Sequence, residues 1–175
     1  MSLPLIGFIV VAFCWRIATV FISARHERAL KAHGAIEYGA LNSIMLAVCH
    51  VLYYLSAIFE ASLRSGNITS TLSIVGVAIY IAAALVLVSV IRSLGDLLTI
   101  KIILSGTHRL VKRGLFSFVR HPNYFLNIIP ELVGFGLALN AFWTLTIGLP
   151  LYLIPLTIRI RQEEAVMTER FSSYR

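Results

Sequence analysis

Five runs of mostly apolar residues, separated by polar segments, divide the chain. Each run is close to the roughly 20 residues that an α-helix needs to cross the hydrocarbon core of a bilayer. The pattern therefore predicts five membrane-spanning helices. The runs cover residues 3–23, 41–59, 71–91, 122–139 and 141–158.

Composition supports this prediction. Hydrophobic residues make up 58% of the chain and charged residues only 13%, whereas a soluble domain carries about 25% charged residues. The formal net charge of +7 could indicate nucleic-acid binding, but the basic residues are spread between the apolar runs and form no single patch. We expect one all-α integral membrane domain over 1–175, with a three-helix part at 1–91 and a catalytic part at 92–175.

The basic residues also predict an orientation. Thirteen of the fifteen Lys and Arg residues lie in three alternate polar segments, 24–40, 92–121 and 159–175. Because Lys and Arg are enriched in cytoplasmic segments, we expect the N-terminus outside and the C-terminus in the cytoplasm. The short turn at Asn140 predicts a hairpin of spans four and five, followed by an amphipathic tail helix at 159–171.

The segment Arg120, His121, Pro122, Asn123 and Tyr124 begins the fourth run. Proline is favoured at the first position of a helix, and the free N–H groups there suit a carboxylate or another anion. Arg120 and His121 would add hydrogen-bond donors. An ordinary alternative is a basic turn at the membrane surface, with the tyrosine in the interfacial aromatic belt.

Glu131 lies seven residues after Tyr124, which in a regular α-helix places it on the same face, two turns deeper. An ionisable residue inside a span is a functional candidate by default. The alternative is a structural carboxyl group bonded to a neighbouring helix. Arg16 interrupts the first run, and we expect its side chain to extend to the interface.

The tail adds three candidates. Arg159 and Glu163 are spaced i,i+4 and can pair on one helix face, while Glu163 and Glu164 point about 100° apart. A charged helix on the membrane surface would show the same pattern. His26 and His33 have no companion at metal-ligand spacing, so we expect no metal.

Two of these motifs together resemble a known family. The stretch RHPNY, followed after a helical hairpin by RIRQEE, resembles the isoprenylcysteine carboxyl methyltransferase family of integral membrane enzymes. The lead-in LVKRGLFSFVRHP and the closing FSSYR are similar to that family's pattern, and the resemblance covers about residues 92–175. ARHERALKAHGAIEYG, together with Glu131, is also similar to small bacterial members associated with O-methylation of alkylpyrones.

The resemblance implies S-adenosylmethionine as methyl donor and a lipophilic acceptor that arrives from the bilayer. His121, Pro122 and Tyr124, with Arg120 beside them, would line the donor site. Glu163 and Glu164 would close it, and Arg159 would lie beside the reacting groups. One departure concerns the pocket, because Phe125 and Leu126 follow the tyrosine where many members have a small residue.

These observations predict a methyltransferase that acts on a carboxylate, in which Arg159 orients the acceptor. A hydroxyl acceptor would instead need a base, for which Glu131, Glu163 and His121 are candidates. A phospholipid methyltransferase and a small helical transporter or scaffold remain alternatives. We expect a bacterial inner-membrane protein, in contact with membrane lipids, whose site faces the cytoplasm and which binds neither nucleic acid nor metal.

Overall fold

Helices form the described part of the chain, together with one short two-stranded ribbon. The structure, a computed structural model, describes residues 2–64, 70–104 and 114–170. Two short 3₁₀ helices, Gly95–Leu97 and Gly114–Ser117, lie in the long polar segment. The main elements in chain order are α1 (Leu3–Ala32), β1 (Ile36–Tyr38), α2 (Ala40–Leu63), α3 (Thr71–Leu94), β2 (Ile102–Leu104), α4 (Ile129–Ala138) and α5 (Leu149–Arg170).

Within the described residues, three helical stretches are long and apolar enough to cross a membrane: Leu3–Ala32, Ala40–Leu63 and Thr71–Leu97. Only 17–33% of the residues in their most apolar windows are buried within the protein. Their outward surfaces are therefore apolar, which water would disfavour and lipid would accept. The fourth and fifth predicted runs are helical as well, which gives the five helices expected from the sequence.

Two wide π turns begin the last two helices, at Asn123–Ile128 and Thr144–Gly148. The N–H of Ile129 donates to the carbonyl of Tyr124, five residues earlier, and a proline follows directly at position 130. The second π turn likewise ends two residues before a proline, which is at position 150. Because proline has no N–H and its ring collides with the carbonyl four residues back, the wider turn relieves a conflict that both prolines create.

The first π turn corrects one prediction. A π turn holds more residues than an α turn, so seven residues no longer return to the same face. Tyr124 and Glu131 accordingly contact different parts of the protein: the tyrosine bonds to Glu163 and the glutamate to Tyr54. The prediction that they share one face is wrong, because it assumed an uninterrupted α-helix.

The predicted hairpin turn lies at Asn140, which adopts a left-handed φ of 54°. Ala141 N–H donates to the carbonyl of Gly136 at 2.8 Å, and Asn140 N–H donates to that of Leu137 at 3.0 Å. This closure of a helix by a left-handed residue is common, and asparagine tolerates the conformation better than most residues. It reverses the chain between α4 and the second π turn.

α3 and α4 approach each other through glycines. A Cβ atom on Gly76 would lie 2.3 Å from the backbone nitrogen of Ala138, and one on Gly134 would lie 2.6 Å from that of Tyr80. Either substitution would push the helices apart. Both glycines are therefore positions of close helix packing.

A seam of mostly polar contacts joins α2 to the fifth helix. The contacts run from the start of α2 near the end of the fifth helix to the end of α2 near the start of the fifth helix, so the two helices are antiparallel. This seam fastens the N-terminal part of the chain to the part that carries the tail motif. Its pairs are Gly39–Gln162, Ser43–Arg159, Asn42–Pro155, His50–Tyr152, Ser56–Thr144 and Glu60–Thr144.

Glu60 caps the fifth helix from a neighbouring one. Its carboxylate accepts hydrogen bonds from the backbone N–H groups of Trp143 and Thr144, at 3.0 and 2.9 Å, and from the Thr144 hydroxyl at 3.1 Å. The first N–H groups of a helix have no partner within it. The carboxylate satisfies two of them and faces the positive end of the helix dipole.

Replacement of Glu60 by alanine should lower the free energy of unfolding by about 1–3 kcal/mol, because the N–H groups of Trp143 and Thr144 lose their acceptor and the latter is buried. The measurement is denaturant unfolding of the protein in detergent. Glu169→Ala, which removes an exposed carboxylate in the last turn of α5, is the matched control. Equal stability of Glu60→Ala and Glu169→Ala would contradict the capping role of Glu60.

Two features of the fold were not predicted. β1 and β2 pair as an antiparallel ribbon, with Glu37 opposite Ile103, so the fold is not strictly all-α. The tail is not a separate amphipathic helix from Arg159, since α5 continues through it to Arg170; neither proline nor glycine interrupts it between positions 156 and 170. Position 171, the predicted end of that helix, lies outside the described residues, as do the stretches 105–113 and 171–175 of the quoted motifs.

Four charged side chains brace the ribbon. Lys31 bonds to Glu27 and Glu37, at 2.6 and 2.5 Å, and Lys101 bonds to Glu27 at 2.7 Å. The adjoining loop is also held to α1, because the N–H of Ile100 donates to Ser23 Oγ at 2.7 Å. These contacts fix the loop that carries the Ile100 carbonyl.

Candidate functional site

Arg159 is the most deeply buried charged side chain at the end of the bundle where the two motifs meet, and only 2% of it is exposed. Three oxygen atoms from different elements accept its hydrogen bonds. Nη1 donates to Ser43 Oγ at 2.6 Å, Nη2 to the Ile100 carbonyl at 2.5 Å, and Nε to the Tyr124 hydroxyl at 3.3 Å. The guanidinium plane is thus held from three sides.

The Tyr124 hydroxyl joins Arg159 to Glu163. It accepts from Arg159 Nε and donates to Glu163 Oε2 at 2.5 Å. The sequence predicted direct pairing of the arginine and the glutamate within the helix, whereas the structure connects them through a tyrosine from the start of the fourth run. The two motifs are therefore in contact, as the predicted hairpin required.

His121 lies between two carboxylates and is 5% exposed. Its Nδ1 is 3.6 Å from Glu163 Oε1, and its Nε2 is 3.3 Å from Glu164 Oε1. Burial disfavours the imidazolium, but hydrogen bonds and charge from Glu163 and then Glu164 outweigh it and raise the pKa of His121. Burial likewise disfavours the Glu163 carboxylate, yet His121, Tyr124 and Arg159 lower its pKa.

The raised pKa of His121 predicts that the stability of the fold depends on pH. Since the folded pKa of His121 exceeds its ordinary 6.5, its pairing stabilises the fold fully below that value and is lost as pH rises through the raised pKa. A titration of the imidazole ring protons by NMR should give the raised pKa directly. Glu163→Gln should lower it more than Glu164→Gln, and the reverse order would contradict this geometry.

The remaining predicted residues are distributed unevenly. Pro122 is fully buried beside His121, and the Glu164 side chain is 43% exposed at the rim. Arg120 is exposed, and no contact joins its side chain to this group among the described residues. The residues predicted to line the donor site therefore lie close together in the structure, with the exception of Arg120.

Glu131 belongs to a different cluster. Its carboxylate forms a bidentate ion pair with Nε and Nη2 of Arg16, and Tyr54 donates to its Oε1 at 2.5 Å. Tyr80 joins the cluster through the Tyr54 hydroxyl at 3.4 Å. One residue from each of four helices thus meets in the interior, and the glutamate, 1% exposed, is fully engaged.

This cluster corrects the interpretation of Arg16. The sequence predicted a side chain that extends to the interface, but it turns inward to the carboxylate of Glu131. An ion pair inside the bundle removes two unpaired charges from an apolar environment, which explains the difference. Glu131 is therefore bonded to neighbouring helices, as the structural alternative expects, and its catalytic role stays a prediction.

Two partners of Arg159 were missed at the sequence level. Ser43 is an ordinary polar residue near the start of an apolar run, and Ile100 contributes only its backbone carbonyl. Neither carries a local motif. The unexplained polarity of Asn42 and Ser43 at the start of a membrane helix is the one available signal.

Residues 75–169, more than half of the chain, match the isoprenylcysteine carboxyl methyltransferase (ICMT) family. The chain belongs to this family. An uncharacterized protein of Haemophilus influenzae is 47% identical over 156 residues, which cover 89% of this chain and 90% of that protein. The uncharacterized protein YpbQ of Bacillus subtilis is 28% identical over 166 residues, 92% and 95% of the two chains. No solved structure matches.

The ICMT match covers most of the site but not all of it. His121, Tyr124, Arg159 and Glu163 fall within residues 75–169, whereas Ser43 lies before them. In contrast, the alignment with the Haemophilus influenzae protein spans most of both chains. No group of three or more metal-ligating side chains occurs within the described residues.

Proposed function

We propose that this protein transfers a methyl group from S-adenosylmethionine to an anionic oxygen of a lipophilic acceptor, foremost a carboxylate. The observation that carries the proposal is the buried Arg159, held by three acceptors next to the paired His121, Tyr124 and Glu163. Family membership supports methyl transfer as the reaction class. The geometry of Arg159 suggests that the acceptor is an anionic oxygen.

The residues present fit the methyl donor. S-adenosylmethionine, when bound, supplies an electrophilic methyl group on a sulfonium, and it carries an ammonium, hydroxyl groups and a carboxylate. The carboxylates of Glu163 and Glu164 suit its cationic and hydroxyl groups, and the lowered pKa of Glu163 keeps that carboxylate charged. The helix that begins after His121 presents the positive end of its dipole there, which suits an anion.

Arg159 has capacity left for an acceptor. A guanidinium has five N–H donors, and the described contacts use three of them, which leaves one on Nη1 and one on Nη2. Two parallel N–H groups match a carboxylate. The acceptor oxygen would be oriented by this fork and desolvated by the buried surroundings, while its own negative charge removes the need for a base.

An acidic enol hydroxyl, as in an alkylpyrone, is the second candidate. It would also present a negative oxygen to Arg159, and Glu163 could take its proton if it arrived neutral. Glu131 does not serve as this base in the proposal, because Arg16 and Tyr54 occupy its carboxylate. A phospholipid amine gains nothing from a guanidinium, which repels its protonated form.

We further propose that all five helices span a bacterial inner membrane, with the site on the cytoplasmic side. The N-terminus would lie outside and the C-terminus in the cytoplasm. The basic segments 24–40, 92–121 and 159–175 support this orientation. A cytoplasmic site would have access to S-adenosylmethionine, and the apolar outer faces of the helices would admit a lipophilic acceptor from the bilayer.

A panel of acceptors tests the proposal. Purified protein in nanodiscs receives labelled S-adenosylmethionine and an isoprenylcysteine-type carboxylate, a long-chain hydroxypyrone or phosphatidylethanolamine. We expect transfer to the carboxylate, with a rate that shows no rising limb from a general base between about pH 6 and 9, because a carboxylate is already ionised there. Transfer to phosphatidylethanolamine alone would overturn the assignment.

A further inference from the structure

We propose that Ser43, in the N-terminal part of the chain, is a positioning residue for Arg159; this inference rests on the proposed function. Ser43 Oγ accepts from Arg159 Nη1 at 2.6 Å, and the residue is only 4% exposed. It lies outside the residues that match the family. The contact therefore makes the N-terminal part a contributor to the site.

The hydrogen-bond direction of Ser43 is fixed by the helix that carries it. Its hydroxyl donates to the carbonyl of Gly39 at 3.1 Å, so the proton points back along the helix and the lone pairs remain for Arg159. Gly39 occupies a left-handed conformation with φ 61°, and a Cβ atom there would lie 2.5 Å from Gln162 Oε1. Gly39 and Ser43, which are bonded to each other, therefore contact Gln162 and Arg159 on the same part of the fifth helix.

The three acceptors restrict the guanidinium in different directions. The Ile100 carbonyl and the Tyr124 hydroxyl hold Nη2 and Nε, and Ser43 is the acceptor at Nη1. Without it, the outer part of the side chain could turn about the Nε–Cζ bond. The two remaining N–H groups would then no longer present a fixed fork to an acceptor oxygen.

The direct test follows rotation of the guanidinium, which requires no turnover. In perdeuterated protein with ¹⁵N-labelled arginine in nanodiscs, NMR exchange reports rotation about the Nε–Cζ bond, and Arg159→Lys identifies the signals. Ser43→Ala should speed rotation at least about tenfold, since Nη1 of the guanidinium loses a charge-assisted hydrogen bond. Ser43→Thr should keep the slow rate. Ser43→Cys, which retains the volume but offers a weak acceptor, should behave like Ser43→Ala.

Ser56→Ala is the matched control, since Ser56 lies in the same helix and bonds to Thr144 Oγ1 of the same partner segment at 2.9 Å. It should leave the rotation unchanged. In kinetics, Ser43→Ala should lower kcat/KM for the acceptor about tenfold and leave the Kd for S-adenosylmethionine unchanged. Unaltered rotation in Ser43→Ala, or equal loss of donor binding and turnover, would overturn the proposal. Absence of transfer by the wild type would instead refute the proposed function.

Discussion

Replacement of Arg159 by alanine should lower the rate of methyl transfer by about a hundredfold or more, because the acceptor oxygen is no longer held in line with the methyl group and a misplacement of about 1 Å already has a cost of this size. Binding of S-adenosylmethionine should persist, because His121 and Glu164 do not bond to the arginine. Arg159→Lys should recover little, since an ammonium cannot reproduce the bonds to Ser43, Ile100 and Tyr124 together.

Arg161→Ala is the control for this result. Arg161 lies two residues further along the same helix but is exposed, so its loss changes the net charge equally and leaves the buried fork intact. Calorimetry gives the donor affinity and labelled methyl transfer gives the rate. Equal losses of donor affinity and rate in Arg159→Ala would move the arginine into the donor site.

Loss of one partner from the Arg16–Glu131 pair should have the largest effect on stability. Glu131→Gln leaves the Arg16 charge inside the bundle without its counter-ion, and breaking a buried pair in this way costs about 3–5 kcal/mol. The double variant Arg16→Leu/Glu131→Leu should be less destabilised than Glu131→Gln, because no unpaired charge remains. Denaturant unfolding in detergent measures both.

Glu27→Gln provides the comparison at the surface. Its carboxylate bonds to Lys31 and Lys101 at the partly exposed ribbon, where such pairs contribute about 0–1 kcal/mol.

The activity of Glu131→Gln distinguishes a structural role of Glu131 from a catalytic one. The folded variant should retain its rate of methyl transfer. A stable Glu131→Gln variant without activity would show that Glu131 acts as a catalytic base.

The helices and the meeting of the two motifs could be predicted from the sequence, because both follow from short-range patterns. Apolar runs of bilayer length specify helices, and a hairpin with a tight turn at Asn140 brings RHPNY and RIRQEE to the same end.

The partners of the charged residues could not be predicted, because they depend on tertiary contacts between distant segments. Arg16 and Glu131 are separated by most of the chain, and nothing local to either indicates the other. The π turn before Pro130 also changes the angle between successive side chains. The prediction that Tyr124 and Glu131 share one helix face assumed 3.6 residues per turn and therefore failed. Ser43 and Ile100 carry no motif, so only the fold reveals that they hold Arg159.

The most direct measurement follows a labelled methyl group into lipid. Wild-type and Arg159→Ala proteins in nanodiscs are incubated with methyl-tritiated S-adenosylmethionine and a bacterial lipid extract, and the organic-soluble products are treated with alkali. We expect organic-soluble label with the wild type alone, and alkali should release it as methanol, as from a methyl ester. Label that remains in water with the wild type, or equal transfer by Arg159→Ala, would contradict this expectation.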